Sequence, residues 1–321
     1  LRIASIDIGT NTLRLLVSEE NEGTPLKKLY IGSEITRLGE GLHGKEKLIN
    51  ERAIGRSIRA LSGFSSKIKE YDVGTLRAVA TSAVRESLNG LDFVKTVEDE
   101  TGITVDVITA KEEARLTVKG VLNSVKFDTP DCLIFDIGGG STEYAYVEGG
   151  KISEISSTAI GVVHLTEQYL NNDIETEGDL ATLGHNIDVL LNSSLSTFAR
   201  LDVKNLTLIG TAGTPTTLAA IQMHLDRYNP SLVNNFILTR DMIESTLSRL
   251  IKIPRSERTN VPGLEKGRED LIISGAMIVI KTMDLFSSDT VVVSDAGLLE
   301  GVAYDFIERH KQHNRTELNN L

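Results

Sequence analysis

Apolar and polar positions along the chain predict alternating strands and helices, and the same order appears twice. Three short apolar runs at residues 2–7, 12–18 and 27–33 read as strands. They are broken at Gly9 and across residues 21–25, as hairpin turns would break them. Ile54, Ile58, Leu61, Phe64 and Ile68 then recur at intervals of three and four, the period of an amphipathic helix. A strand at 73–80, a helix near 91–100, a strand at 104–108 and a helix from 111 complete the order βββαβαβα. The order restarts after a predicted linker, Asp128-Thr129-Pro130-Asp131. Strands are expected at 132–136, 142–147 and 151–156, with Gly149-Gly150 as a hairpin turn. Helical periodicity follows across much of 162–201. A strand at 206–209 and a helix at 214–224 come next, then helices near 240–251 and 268–286, a strand at 290–294 and a helix at 298–309. The pattern predicts an α/β protein of two related domains, 1–127 and 128–321, with the last helix, about 303–321, packing back on the first.

Local sequence supports the duplication. Ile6-Asp7-Ile8-Gly9-Thr10-Asn11-Thr12 in the first half corresponds to Phe135-Asp136-Ile137-Gly138-Gly139-Gly140-Ser141-Thr142 in the second. Each is an apolar strand ending in Asp, a turn rich in Gly and hydroxyl or amide side chains, and a returning strand. One Asp-x-Gly could be plain turn chemistry. Two at equivalent places in a repeated order point to a shared task.

Composition narrows that task. Of the 321 residues, 40 % are apolar and 25 % charged, the balance of a water-soluble globular protein. Aromatics are 5 % and Trp is absent, so the cores must rest on Ile, Leu and Val. The longest apolar stretches, such as 271–280, are interrupted and too short to span a bilayer. No basic segment with a cleavable apolar run opens the sequence. The single cysteine, Cys132, forbids an intramolecular disulfide or a multi-cysteine metal site, and a cytoplasmic location is expected. A formal net charge of −11 argues against nucleic-acid polymers and anionic membranes as partners. It leaves room for a polyanionic substrate, because salt limits surface fields to roughly 8 Å.

The candidate chemistry suits phosphate. Backbone N–H groups can converge on an anion at a glycine turn, where no Cβ blocks approach. Gly9, Thr10 and Asn11 in the first half and Gly138, Gly139 and Ser141 in the second are the candidate positions. Asp7 and Asp136 end their strands at these turns. Glu143 begins the strand returning beside Asp136, and a carboxylate pair with phosphate oxygens and waters suits Mg²⁺. Read alone, Glu143 is more readily a solvated strand-end acid; beside Asp136 the two readings stand even. Gly210 and Thr211 lie in a second strand-to-helix turn, which either receives an anion at the helix N-terminus or simply turns tightly against the sheet. Arg85 is placed to fork onto a phosphate or to pair with Glu86 on the surface; Arg37, Lys266 and Arg268 carry the same ambiguity. Glu112 and Glu113 fall in the first turn of their helix, where acids commonly complement the helix dipole. Glu113 shares a face with the small residues Thr117 and Gly120, which would leave that face open toward a cleft. Glu112, Arg115 and Lys119 look more solvent-directed. Glu113 is therefore the better candidate base. His43 and His164 have no metal-ligand spacing, and no Gly-x-Ser-x-Gly nucleophile elbow appears.

In order along the chain, IDIGTNTLRLLV, ATSAVRE, KEEARL, FDIGGGSTE, IGTAGTPTTLAA, PGLEKGRED and SDAGLLEG resemble the motifs of the exopolyphosphatase/guanosine pentaphosphate phosphohydrolase family. The resemblance covers nearly the whole chain. It implies a pair of ribonuclease-H-like domains of the actin-like ATPase superfamily with an active site in the cleft between them. It also implies Mg²⁺-dependent release of terminal phosphate from inorganic polyphosphate, guanosine pentaphosphate, or both. Carried over by motif, Glu113 resembles the residue that activates the attacking water, Asp136 and Glu143 the acids that hold metal and position water, and Arg85 a phosphate-contacting arginine. Gly9, Thr10, Asn11, Gly138, Gly139 and Ser141 resemble phosphate-loop positions. A homodimer is expected by resemblance alone. Three departures from the family pattern stand out. Leu299 stands where an Arg is expected, Lys111 replaces a small residue before Glu112, and, since the sequence ends near the second domain, the extra C-terminal helical domain of longer relatives is not expected. The same turns would also serve an actin-like sugar or acid kinase, or an ATP-gated scaffold protein.

Overall fold

The structure, a computed structural model, describes residues 1–21, 26–42, 46–126, 131–200 and 206–319. The expected break at 21–25 and linker at 128–131 fall largely outside these residues, and His43 lies wholly outside them. The chain divides into two compact units, Leu1–Gly120 with Gly297–Leu321, and Val121–Ala296. The sequence places the boundary at 127/128; the division observed falls within a helix, seven residues earlier by that count.

The first unit is built on β1 (Arg2–Ile8), β2 (Thr12–Glu19), β3 (Lys27–Ile35), α1 (Glu51–Glu70), β4 (Thr75–Ala80), α2 (Ser82–Glu86), α3 (Gly90–Thr101), β5 (Val105–Val107) and α4 (Ala110–Leu122). Its sheet runs β3-β2-β1-β4-β5, the first three antiparallel and the last two parallel to β1. Helix α1 begins where the Asn50 side chain accepts the Ala53 N–H, and it buries Ile58, Leu61, Phe64 and Ile68 of the stripe its spacing predicts, with Ile54 partly buried and Ala53 buried beside it.

The second unit repeats the plan with β6 (Cys132–Ile137), β7 (Thr142–Glu148), β8 (Lys151–Thr158), α5 (Val162–Tyr169), α6 (Glu177–Ser194), β9 (Thr207–Thr211), α7 (Gly213–Gln222), α8 (Pro230–Val233), β10 (Ile237–Thr239), α9 (Arg240–Leu250), α10 (Ile272–Leu285) and β11 (Thr290–Val293). Sheet order is β10-β11-β9-β6-β7-β8, so β8, β7, β6, β9 and β11 take the places of β3, β2, β1, β4 and β5. This is the expected ribonuclease-H-like topology, present twice. The antiparallel edge strand β10 is an addition that three residues of sequence do not announce. The Gly149-Gly150 turn has positive φ at both positions, 56° and 77°, as a two-residue hairpin requires. The helical span expected at 162–201 is two helices, because Thr176 and Asp179 form a capping box that starts α6 afresh. The fully buried Arg258 forks onto Glu175 and donates to the carbonyls of Leu250, Ile253 and Glu269, tying three segments of this unit together.

Helix α11 (Leu298–Asn319) returns to the first unit. Leu298 and Val302 pack with Val79, Ile108 and Leu116, while Leu299 and Ala303 pack on Leu16. Leu299 is thus a core residue, and an arginine there would bury a charge. No helix among the described residues is long and apolar enough to cross a membrane.

Candidate functional site

The two glycine turns prove to be one structure built twice. Gly9 N–H donates to Thr12 O at 3.2 Å, and Gly138 N–H donates to Ser141 O at 2.9 Å. A Cβ on either glycine would stand 2.9 Å from that same carbonyl, too close to tolerate. Thr12 therefore corresponds to Ser141, and Thr10 to Gly139.

Behind the first turn, the Thr36 and Arg37 N–H groups donate to Asn11 O at 3.1 and 2.9 Å, and Gly39 N–H to Thr10 O at 2.8 Å. Thr10 and Asn11 are buried. The Asn11 amide makes only a long bond to Thr12 Oγ1, 3.3 Å, and its Oδ1 is buried with no hydrogen-bond partner among the described residues. Behind the second turn, Val162 and Val163 N–H groups donate to Gly138 O and Gly139 O at 3.1 and 2.9 Å. Gly161 permits this, since a Cβ there would fall 2.3 Å from Gly139 O.

The strands leaving the turns differ in charge. Asp136 lies directly across from Glu143, and the equivalent partner of Asp7 is Arg14. Glu143 is buried, and its Oε1 accepts from Ser141 Oγ at 2.7 Å and Ser157 Oγ at 2.9 Å. Ser157, on β8, carries no sequence signal; only register brings it to Glu143. Among the described residues no group of three or more His, Cys, Asp or Glu side chains gathers as a metal site. The Asp136–Glu143 pair nonetheless fits Mg²⁺, a cation that takes one or two carboxylates and fills its remaining positions with water and phosphate oxygens. In the first unit the cation Arg14 replaces the second acid, so the donor pair exists only in the second unit.

Glu113 and Arg85 come together in the first unit. Arg85 Nη1 donates to Glu113 Oε2 at 2.9 Å and to Ile108 O at 3.0 Å. Its approach to Glu86 is 3.9 Å, so the surface pair with Glu86 is the minor contact. Strand-end bonds align the elements beneath: Thr81 N–H donates to Ile8 O, and Ile108 N–H to Ala80 O. Glu113 is buried in the first turn of α4. The small residues on its face do not open that face. Gly120 meets α11, where a Cβ would stand 2.0 Å from Gly297 O. Glu112, Arg115 and Lys119 are more exposed than Glu113, as expected, but each is engaged: Arg115 bonds Glu112 and Asp305 at 2.8 Å, and Lys119 reaches Asp305 at 3.2 Å.

The Gly210–Thr214 turn is held from within. Thr211 is buried and its hydroxyl donates to Ala296 O at 2.9 Å, so that hydroxyl is already engaged. Gly210 is obligatory against Phe135 and Pro215, each 2.9 Å from a Cβ built there. The Arg268 guanidinium covers Gly213 and also pairs with Glu265 at 2.6 Å.

Comparison with known proteins gives these features a family. Residues 16–310 match the Ppx/GppA phosphatase family. A bifunctional 3-dehydroquinate synthase/phosphatase of Fusobacterium nucleatum is 36 % identical over 95 % of this chain, which spans 46 % of that longer protein. Exopolyphosphatase 2 of Mycobacterium tuberculosis is 30 % identical, with 94 % of this chain and 97 % of the relative covered. The crystal structure of the Aquifex aeolicus Ppx/GppA family member is 32 % identical and superposes with a TM-score of 0.80, covering 97 % of this chain and 98 % of that one. With the motifs, the doubled sheet and these likenesses in agreement, the chain belongs to the Ppx/GppA phosphatase family.

Proposed function

We propose that the protein hydrolyses terminal phosphoanhydride bonds, with inorganic polyphosphate or guanosine pentaphosphate as substrate and Mg²⁺ as cofactor. The observation that carries this reading is the repeated glycine turn, with an acid pair beside one copy and Arg85 bonded to Glu113 in the unit that holds the other. Such turns recognise a phosphate chain through backbone N–H groups rather than through the shape of a particular organic group. The family and the 30 % identical exopolyphosphatase support the same reaction class.

In this mechanism Glu113 accepts the proton of the attacking water, and Arg85 orients it and neutralises charge on the transferring phosphoryl group. Asp136 and Glu143 would hold Mg²⁺, which supplies positive charge for phosphate oxygens. Ser141 and Ser157 keep the Glu143 carboxylate turned.

The test offers purified protein polyphosphate, guanosine pentaphosphate and ATP in parallel, with and without Mg²⁺. Phosphate release from one of the first two, dependent on Mg²⁺, is expected. Glu113→Gln keeps the shape and removes the basicity, and should lower kcat by about 10²–10⁴-fold with little change in Tm. Unchanged turnover in that variant would remove Glu113 from the mechanism. ADP formation that requires an added hydroxyl acceptor would replace hydrolysis by phosphoryl transfer.

A further inference from the structure

The first glycine turn is fixed at second hand. Its Thr10 and Asn11 carbonyls accept three N–H groups from residues 36–39, a segment outside any helix or strand. That segment is itself strained. Arg37 sits at φ 49°, a left-handed conformation unfavourable for a bulky residue. Gly39 passes so close to the turn that a Cβ would stand 2.2 Å from Thr10 Cγ2. Leu38 and Leu42 anchor the segment in the core by burial, but apolar burial does not direct backbone N–H groups.

Direction comes from Arg56 on α1. Its Nε donates to Thr36 O at 2.7 Å, and its Nη2 donates to Arg37 O at 3.5 Å and to Glu40 Oε2 at 2.8 Å. One planar guanidinium therefore grips the carbonyl side of the residues whose amide side grips the turn. A lysine could not serve all three acceptors in one plane. We propose that Arg56 is a positioning residue for phosphate recognition: it acts through the backbone of residues 36–40 to hold Thr10 and Asn11, and does not itself touch substrate. This rests on the phosphatase reading for its kinetic consequence, though not for its structural one. The competing account is an ordinary surface pair between Arg56 and Glu40, both partly exposed, which would contribute almost nothing.

Arg56→Gln, Arg56→Lys and Glu40→Gln separate the two. In Arg56→Gln the amides of Thr36, Arg37 and Gly39 should exchange hydrogen about tenfold faster, with those of α3 unchanged. KM for polyphosphate should rise roughly three- to tenfold while kcat moves less than about twofold, the signature of lost ground-state binding. Arg56→Lys should fall between, and carries the comparison if the glutamine variant does not fold. Glu40→Gln should stay near wild type, because Nε still reaches Thr36 O. Wild-type exchange and KM in Arg56→Gln would overturn the proposal, as would a Glu40→Gln variant that matches it. A wild-type protein that releases no phosphate would instead refute the phosphatase reading, and the exchange rates would still decide the role of Arg56.

Discussion

Ala212 stands at φ 68° and ψ −164°, a region of backbone space that is essentially reserved for glycine. It precedes α7, and its carbonyl accepts the Thr216 hydroxyl at 2.8 Å, so the surrounding turn holds it there. Ala212→Gly removes the clash of Cβ with the backbone at the cost of a more flexible unfolded chain. The first effect is the larger where φ is positive, and the variant should be more stable by about 1 kcal/mol, read as a raised denaturation midpoint at unchanged m-value. No such strain is visible in the letters Thr-Ala-Gly. Other parts of the site are legible in the sequence because they are local. The Asp136–Glu143 pair follows from a tight turn, since two strands joined so closely must return side by side. Arg85 and Glu113 lie 28 residues apart, and their bond depends on where β4 and α4 end in the folded unit. Ser157 and Arg56 are of the same kind: ordinary polar residues whose roles exist only once register and loop path are known.

At the scale of elements, the smallness of Gly120 suggests an open face in the sequence and is in fact a helix crossing. A Cβ on Gly120 would meet Gly297 O at 2.0 Å, and one on Gly301 would meet Leu116 O at 1.8 Å. Helices α4 and α11 thus touch backbone to backbone, with Asp305 receiving Arg115 and Lys119 alongside. Periodicity cannot distinguish a glycine that faces open space from one that faces another backbone. Gly301→Ala should force the helices apart and destabilise the protein by about 1–3 kcal/mol, measured by thermal or urea unfolding. Because α4 carries Glu113, the same variant should also lower kcat when assayed well below its Tm. Gly63, where an added Cβ would have no neighbour within 4 Å, is the control: Gly63→Ala in the middle of α1 should be neutral or stabilising.

For the molecule as a whole, two electrostatic effects oppose each other as pH falls. The net charge of −11 is self-repulsive at neutral pH, and that repulsion fades toward the pI near 5.1. Against this stand carboxylates that the fold holds below their ordinary range. Burial pushes Asp305 up, but Arg115 and Lys119 outweigh it, with Arg77 also bonded at 3.0 Å. Burial likewise raises Glu300, and Lys28, Arg14 and the Gly297 N–H outweigh it. The Arg115 hydrogen bond lowers Glu112. A depressed carboxylate contributes stability that is present in full above its unfolded pKa, about 4, and is lost as pH drops through the folded value. The diffuse repulsion is screened by salt more strongly than these short contacts, two of whose carboxylates, Asp305 and Glu300, are buried. At physiological salt, Tm should therefore change little or rise slightly from about pH 8 to about 5.5, then fall steeply below about pH 4. Asp305→Asn isolates the local contribution. Its cost should be about 1–3 kcal/mol near neutrality, between an exposed and a fully buried pair because Arg115 and Arg309 are partly in water. That difference should shrink as pH falls through the folded pKa, which lies below the ordinary aspartate range, and vanish once the wild-type carboxylate is protonated. A gap between the two unfolding curves that stays constant with pH would mean that Asp305 matters through packing rather than through charge.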